Sequence, residues 1–218
     1  YLAKRQMVQA KYDAAQTVPG NENHWSQADN LDPHASASLS VRRKLRSRSR
    51  YEVIENNPYL KGTVLTIAGD FVGKGPRLQI EDDRLSKAQR NHIEKEFHKW
   101  MKVVRFRQKL WRMRLAKITD GETFLRAHRT PKKKRSRRVP VQLNFQVLEC
   151  DRVSSQVHEQ KPLPEGVFEV DGVRFDKYEN PLQYYVLHSH PGSSGNLQDP
   201  FKREPGDWVD ANFLIHWF

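Results

Sequence analysis

An α+β fold, helices first and mostly antiparallel strands after them, is predicted by three features of this sequence. Apolar residues recur at helical spacing in the first half: Leu60, Val64, Ile67 and Phe71 in one segment, Ile93, Phe97, Trp100 and Val104 in another. In the second half Val141, Leu143, Phe145 and Val147 alternate with Gln142, Asn144 and Gln146, the period of a half-buried strand. Ten Phe, seven Tyr and five Trp in 218 residues supply enough bulk for a sizeable core.

The elements follow in order. Residues 1–16 have the pattern of a short helix, and residues 17–40 (TVPGNENHWSQADNLDPHASASLS) read as a loop or extended arm whose one large group is Trp25. Residues 41–56 read as a helix with a very basic first half. Asn57-Pro58 ends it and starts another, because Asn is a good N-cap and Pro a good first helical residue. Gly73 and Gly75 stop that second helix. Residues 77–81 (RLQIE) have the look of a short strand. The Ile93 stripe defines the clearest helix, and Trp111, Leu115 and Ile118 continue a stripe in the next. Asp120-Gly121 is a turn leading into a strand over 123–127. Residues 131–138 (PKKKRSRR) form a basic loop, 151–166 a polar loop, and 190–207 another. Residues 167–175 and 182–187 are expected to pair as strands. The chain has no internal repeat.

Charge narrows the partners. The net charge is +12 and the pI about 9.9, with a mean hydropathy of -0.84. A field of this sign attracts nucleic acid, an anionic membrane face or an acidic protein. No apolar run reaches the roughly 18 residues of a spanning helix, so no membrane is expected among the partners. The opening residues lack the apolar core of a signal peptide. One cysteine, Cys150, excludes an internal disulfide and any multi-cysteine zinc site. Position 1 is not Met, and the last six residues are an apolar run without a polar tail, so the chain is expected to be a fragment.

Five segments in order resemble the portal proteins of lambda-like tailed phages. They are RRKLRSRSRYEVIENNPYLKGTVLTIAGDFVGKGPRLQ from Arg42, the stretch Phe97 to Phe124 with its mid-helix Trp and DGETF, VQLNFQVLECDRV from Val141, GVRFDKYENPLQYYVLHSHPG from Gly172, and the terminal LIHWF. Together they cover nearly all of residues 10–218. The resemblance implies a structural subunit, not an enzyme, in a homo-oligomeric ring of twelve at one vertex of the virion capsid. Double-stranded DNA passes through such a ring during packaging and ejection, and terminase and head-completion proteins dock on it. Assembly is expected in the host cytoplasm. Residues 1–40 would be an N-terminal arm and 41–218 a wing-like α+β domain, truncated before the family's channel helices and motor-facing clip.

Candidate nucleic-acid contacts are two basic clusters. The first is Arg42, Arg43, Lys44 and Arg46, with Arg48 and Arg50 beyond; the second is Lys132, Lys133, Lys134, Arg135, Arg137 and Arg138. Each such residue pairs with a phosphate and releases counterions without reading sequence. The competing reading is a solvated face or a set of partners for acidic groups, and part of the first cluster is expected to meet carboxylates within the ring. A sequence-nonspecific or regulatory DNA-binding protein is the alternative function. No catalytic, cofactor or metal site is expected. Gly73-x-Gly75 is a helix stop, and no P-loop pattern occurs. His188-x-His190 lacks a third ligand at a supporting spacing. Asp70, Glu81, Asp82, Asp83, Asp120 and Glu122 are the acidic candidates for a metal-dependent nuclease, without a supporting lysine.

Overall fold

The structure, a computed structural model, describes residues 19–20, 22–26, 28, 31, 38–130, 141–154, 162–193 and 206–218. The chain divides into two units, Tyr1–Val41 and Arg42–Phe218. In the first, Glu22–Trp25 makes one helical turn, and the His24 ring meets Trp25 edge-on at 4.6 Å. The expected helix over 1–16 lies outside the described residues.

Four helices come next among the described residues. Helix α1 (Leu39–Arg50) continues as a π-helical stretch, Tyr51–Asn56. Helix α2 (Pro58–Val72) begins where the sequence predicts: the Asn57 side chain accepts from the amides of Tyr59 and Leu60, each at 3.1 Å. Replacing Asn57 with Ala leaves both amides without that acceptor. The expected cost is about 1 kcal/mol, seen as a fall in Tm of about 2–4 °C. Gly73 ends α2 with φ 50°, a conformation that glycine adopts without penalty. Helix α3 (Lys87–Val103) opens with a capping box in which Ser86 and Gln89 satisfy each other's backbone amides. Helix α4 (Phe106–Asp120) follows after Arg105.

The apolar spacing of α2 finds a face that is only partly covered. Val64 and Ala68 are buried, but Leu60, Ile67 and Phe71 are exposed. The helix meets α4, and Phe71 still carries the Arg114 guanidinium over its ring at 4.7 Å and stacks on Trp217 at 5.6 Å. The expected strand at 77–81 is extended chain without a ladder: the Ile80 amide donates to the Glu94 carboxylate at 3.1 Å instead of to a neighbouring strand.

Among the described residues seven strands form two antiparallel sheets, so the fold is α+β. The first sheet has the order β2-β1-β7, from β1 (Thr123–Arg129), β2 (Leu143–Leu148) and β7 (Leu214–Trp217). The second is a meander, β3 (Phe168–Val170), β4 (Val173–Phe175), β5 (Pro181–Leu187) and β6 (Gly206–Asp210). The stretch read as one strand over 167–175 is therefore a hairpin. Asp171 (φ 49°) and Gly172 (φ 81°) make its two-residue turn, and this left-handed pair matches the twist of the flanking strands.

One core joins the sheets. Phe124, Leu148, Cys150, Val153, Tyr184, Val186, Val209 and Leu214 form a single buried cluster, and Val153 bridges to Val186 across the sheets. Helices α3 and α4 seat on the other part of the first sheet through Trp100, Phe106 and Phe145, with ring centroids 5.3–6.1 Å apart. The Trp100 indole donates to the Leu143 carbonyl at 2.8 Å, so its one polar group is satisfied on burial.

Candidate nucleic-acid interface

Helical periodicity splits the first basic cluster into two faces. Arg42, Arg46 and Arg50 stand four residues apart and fall in one row, with Arg43 beside them. Lys44 and Arg48 project from another face and are exposed, as are Val41 and Leu45.

The arginine row is engaged inside the chain. Arg42 pairs with Asp171 of the β3–β4 turn. Arg43 donates to the Ser154 hydroxyl at 2.9 Å. Arg46 pairs with Glu122, with Asp151 at 3.3 Å, and donates to the Asp120 carbonyl at 3.3 Å. Arg50 grips both oxygens of Asp120, at 2.7 and 3.0 Å, and reaches Asp151 at 3.2 Å. The side chains of Arg46, Asp120 and Asp151 are 10, 5 and 9 % exposed. Charges this deep persist only when paired and hydrogen-bonded. The Asp120 carboxylate accordingly raises the Arg50 pKa, against burial that lowers it.

These contacts identify what the sequence did not reveal. Asp120 and Glu122, weighed above as nuclease ligands, and Asp151 are acceptors for α1. They come from the end of α4, the start of β1 and the 3-10 turn Cys150–Arg152 after β2. The seam ties the first helix to the junction of both sheets. Of the first cluster, Lys44 keeps an exposed charge without an ion-pair partner among the described residues, and so does Arg48. The second cluster, Lys132, Lys133, Lys134, Arg135, Arg137 and Arg138, lies outside the described residues.

Glu122 also accepts a hydrogen bond from His216, whose Nε2 lies 2.9 Å from its carboxylate. Burial pushes the Glu122 carboxyl up, but the His216 hydrogen bond and the Arg46 charge pull it down further, so it ends below its ordinary value of 4.5. A carboxyl depressed in the folded state stabilises fully above its unfolded value and loses that contribution as pH falls through the folded one. Stability should therefore drop as pH is lowered below 4.5 and through the depressed folded value, read as the urea midpoint. In Glu122→Gln that part of the acid slope should vanish; an unchanged slope would contradict the assignment.

The remaining candidates resolve into separate contacts. His188 meets Asp207 at 2.9 Å, while His190 meets Glu149 at 3.2 Å and Asp151 at 3.7 Å, so the two imidazoles serve different carboxylates. Asp82 holds Arg84 at 2.8 Å. Burial pushes the Cys150 thiol up to about 12, which keeps it in the unreactive thiol form. No helix among the described residues is long and apolar enough to cross a membrane.

A buried seam of arginines and carboxylates that fixes a helix to two sheets defines a structural module. Residues 21–218 match the model of the phage portal protein, lambda family, and the chain belongs to that family. Compared with curated proteins, it matches none. The family gives it a structural role at the portal vertex of a phage virion.

Proposed function

We propose that this chain is a subunit of the ring through which phage DNA enters and leaves the capsid. The match over residues 21–218 carries the reading. Twelve copies close the ring, residues 1–40 act as an arm and 41–218 as the wing, and terminase and head-completion proteins dock on the ring. The ring itself does no chemistry. Protein expressed from its complete reading frame should form closed rings in negative-stain micrographs. A monomer at high concentration and physiological salt would overturn the reading.

DNA contact in this proposal falls on Lys132, Lys133, Lys134, Arg135, Arg137 and Arg138, with Lys44 and Arg48 as the exposed members of the first cluster. Arg42, Arg43 and Arg46 are spent on internal partners and add little to phosphate binding. Each phosphate contact contributes about 0.9 to the slope of log affinity against log salt. Changing Lys132, Lys133 and Lys134 to Ala should lower that slope by up to about 3, measured by fluorescence anisotropy on random-sequence duplex. A slope that stays put removes the loop from the DNA surface. Preference for one sequence by roughly a thousandfold would instead favour a regulator.

A further inference from the structure

Charge is segregated between the layers of this fold. From Lys87 to Asp120, α3, α4 and the Arg105 between them carry eleven Lys and Arg against three carboxylates. Residues 162–193 and 206–213, the four-stranded sheet and its turns, carry seven carboxylates against Arg174 and Lys177. Among the described residues Lys99–Glu96 is the one ion pair within α3 and α4.

The positive excess gathers at the corner where α3 gives way to α4. Arg105 turns the chain there with φ 53°. Lys102, Val103 and Arg105 are exposed. Lys74 joins them, because Arg107 donates to the Gly73 carbonyl at 2.6 Å and lies against Gly75. Neither Lys74, Lys102 nor Arg105 has an ion-pair partner among the described residues.

The negative excess gathers at one end of the four-stranded sheet. Pairing of Phe168 with Phe175 and of Gln183 with Asp210 puts the start of β3, the β4–β5 turn and the end of β6 at the same end. Glu165, Asp176, Glu179 and Asp210 therefore lie along that end, and a shallow cleft lined by Glu165, Asp176, Lys177 and Tyr178 runs between two of the turns. Tyr178 and Phe168 stand 72 and 40 % exposed there.

We propose that the Lys102–Arg105 corner of one subunit docks on the Glu165–Glu179 end of the next copy in the ring. This rests on the ring reading above. A closed ring needs two different, mutually complementary patches on each copy. Here the patches have opposite sign, and each presents exposed apolar groups (Val103 on one, Phe168 and Tyr178 on the other) for the charges to surround. Duplex DNA would match the basic corner but leave the acidic end repelled and uncovered; a second copy satisfies both.

Charge exchange tests it. Lys102→Glu with Arg105→Glu, and separately Glu165→Lys with Glu179→Lys, should each reduce closed rings at least tenfold in negative-stain counts at low salt. All four substitutions together restore opposite signs and the wild-type net charge, and should restore rings. The four positions are exposed, and circular dichroism should show each variant folded; a misfolded pair is replaced by Lys74→Glu or by Asp210→Asn at the same patch. If wild type forms rings and either reversed pair closes them as well as wild type, the surfaces are wrong and the ring reading stands. If wild type forms no ring, both fail. Intact rings with DNA affinity lost in the Lys102/Arg105 variant would give the corner to DNA and overturn the proposal. Failure of the four-fold exchange to rescue would overturn it too.

Discussion

Replacing Arg46 with Met should destabilise the protein by about 3–5 kcal/mol, the loss expected when one partner of a buried ionic network is removed. Arg46 is buried and serves Glu122, Asp151 and the Asp120 carbonyl together. Met fills similar space, so the loss reports charge rather than a cavity. Asp151, itself 7 % exposed, would retain Arg50 at 3.2 Å and the more distant His190 at 3.7 Å. Arg46→Lys should fall between, since an ammonium lacks the planar fork that reaches three acceptors. Adding Glu122→Gln and Asp151→Asn to Arg46→Met should recover part of the loss, by about 0.5–3 kcal/mol of coupling. Lys44→Met, two residues away on the exposed face, should stay within about 0.5 kcal/mol of wild type. Urea denaturation monitored by tryptophan fluorescence measures all four; equal midpoints for Arg46→Met and Lys44→Met would refute the seam.

The second large effect is expected at Phe124. Its ring is 2 % exposed, stacks on His216 at 4.2 Å and meets Tyr184 edge-on at 5.8 Å. It stands on β1, the middle strand of the first sheet, and touches β5 of the second. Phe124→Ala should cost about 3–5 kcal/mol through lost burial and the cavity left behind. For a domain of this size that is a Tm lower by roughly 6–20 °C. Phe124→Leu keeps most of the volume and should cost less than about 1.5 kcal/mol. Calorimetry that finds the two variants equal would mean the sheets do not share one core at this ring.

Local chemistry explains which parts of the fold were legible in the sequence. Asn57-Pro58 and Gly73 act on neighbouring amides and φ angles, so the ends of α2 can be read off a few residues. The stripe Ile93, Phe97, Trp100, Val104 likewise gives α3, and Trp100 and Val104 are its buried members. Tertiary choices were not legible. Spacing on α2 shows that an apolar face exists, but not that Val64 and Ala68 end up buried while Phe71 stays 62 % exposed. Residues 77–81 have strand-like composition but no neighbouring strand. The Asp171-Gly172 turn was a readable signal that went unused inside an apolar stretch, and β6 follows a long polar segment that masks it. The arginine row is the sharpest case. Its residues announce charge, while their acceptors lie 70 to 129 positions further along the chain and are ordinary carboxylates when read alone.

That separation has a consequence for how the protein is made. Every acceptor on α1 is synthesised long after α1 itself: Asp120 comes 70 residues after Arg50, and Asp171 comes 129 after Arg42. At about 5–20 residues per second, translation needs roughly 6–26 s to supply the last of them. Through that interval the nascent helix carries its row of guanidinium groups uncompensated, beside the nucleic acid of the ribosome. Closure of the seam is thus a late step, timed by elongation, and it sets the point at which the N-terminal helix changes from a hydrated polycation into part of a finished wall.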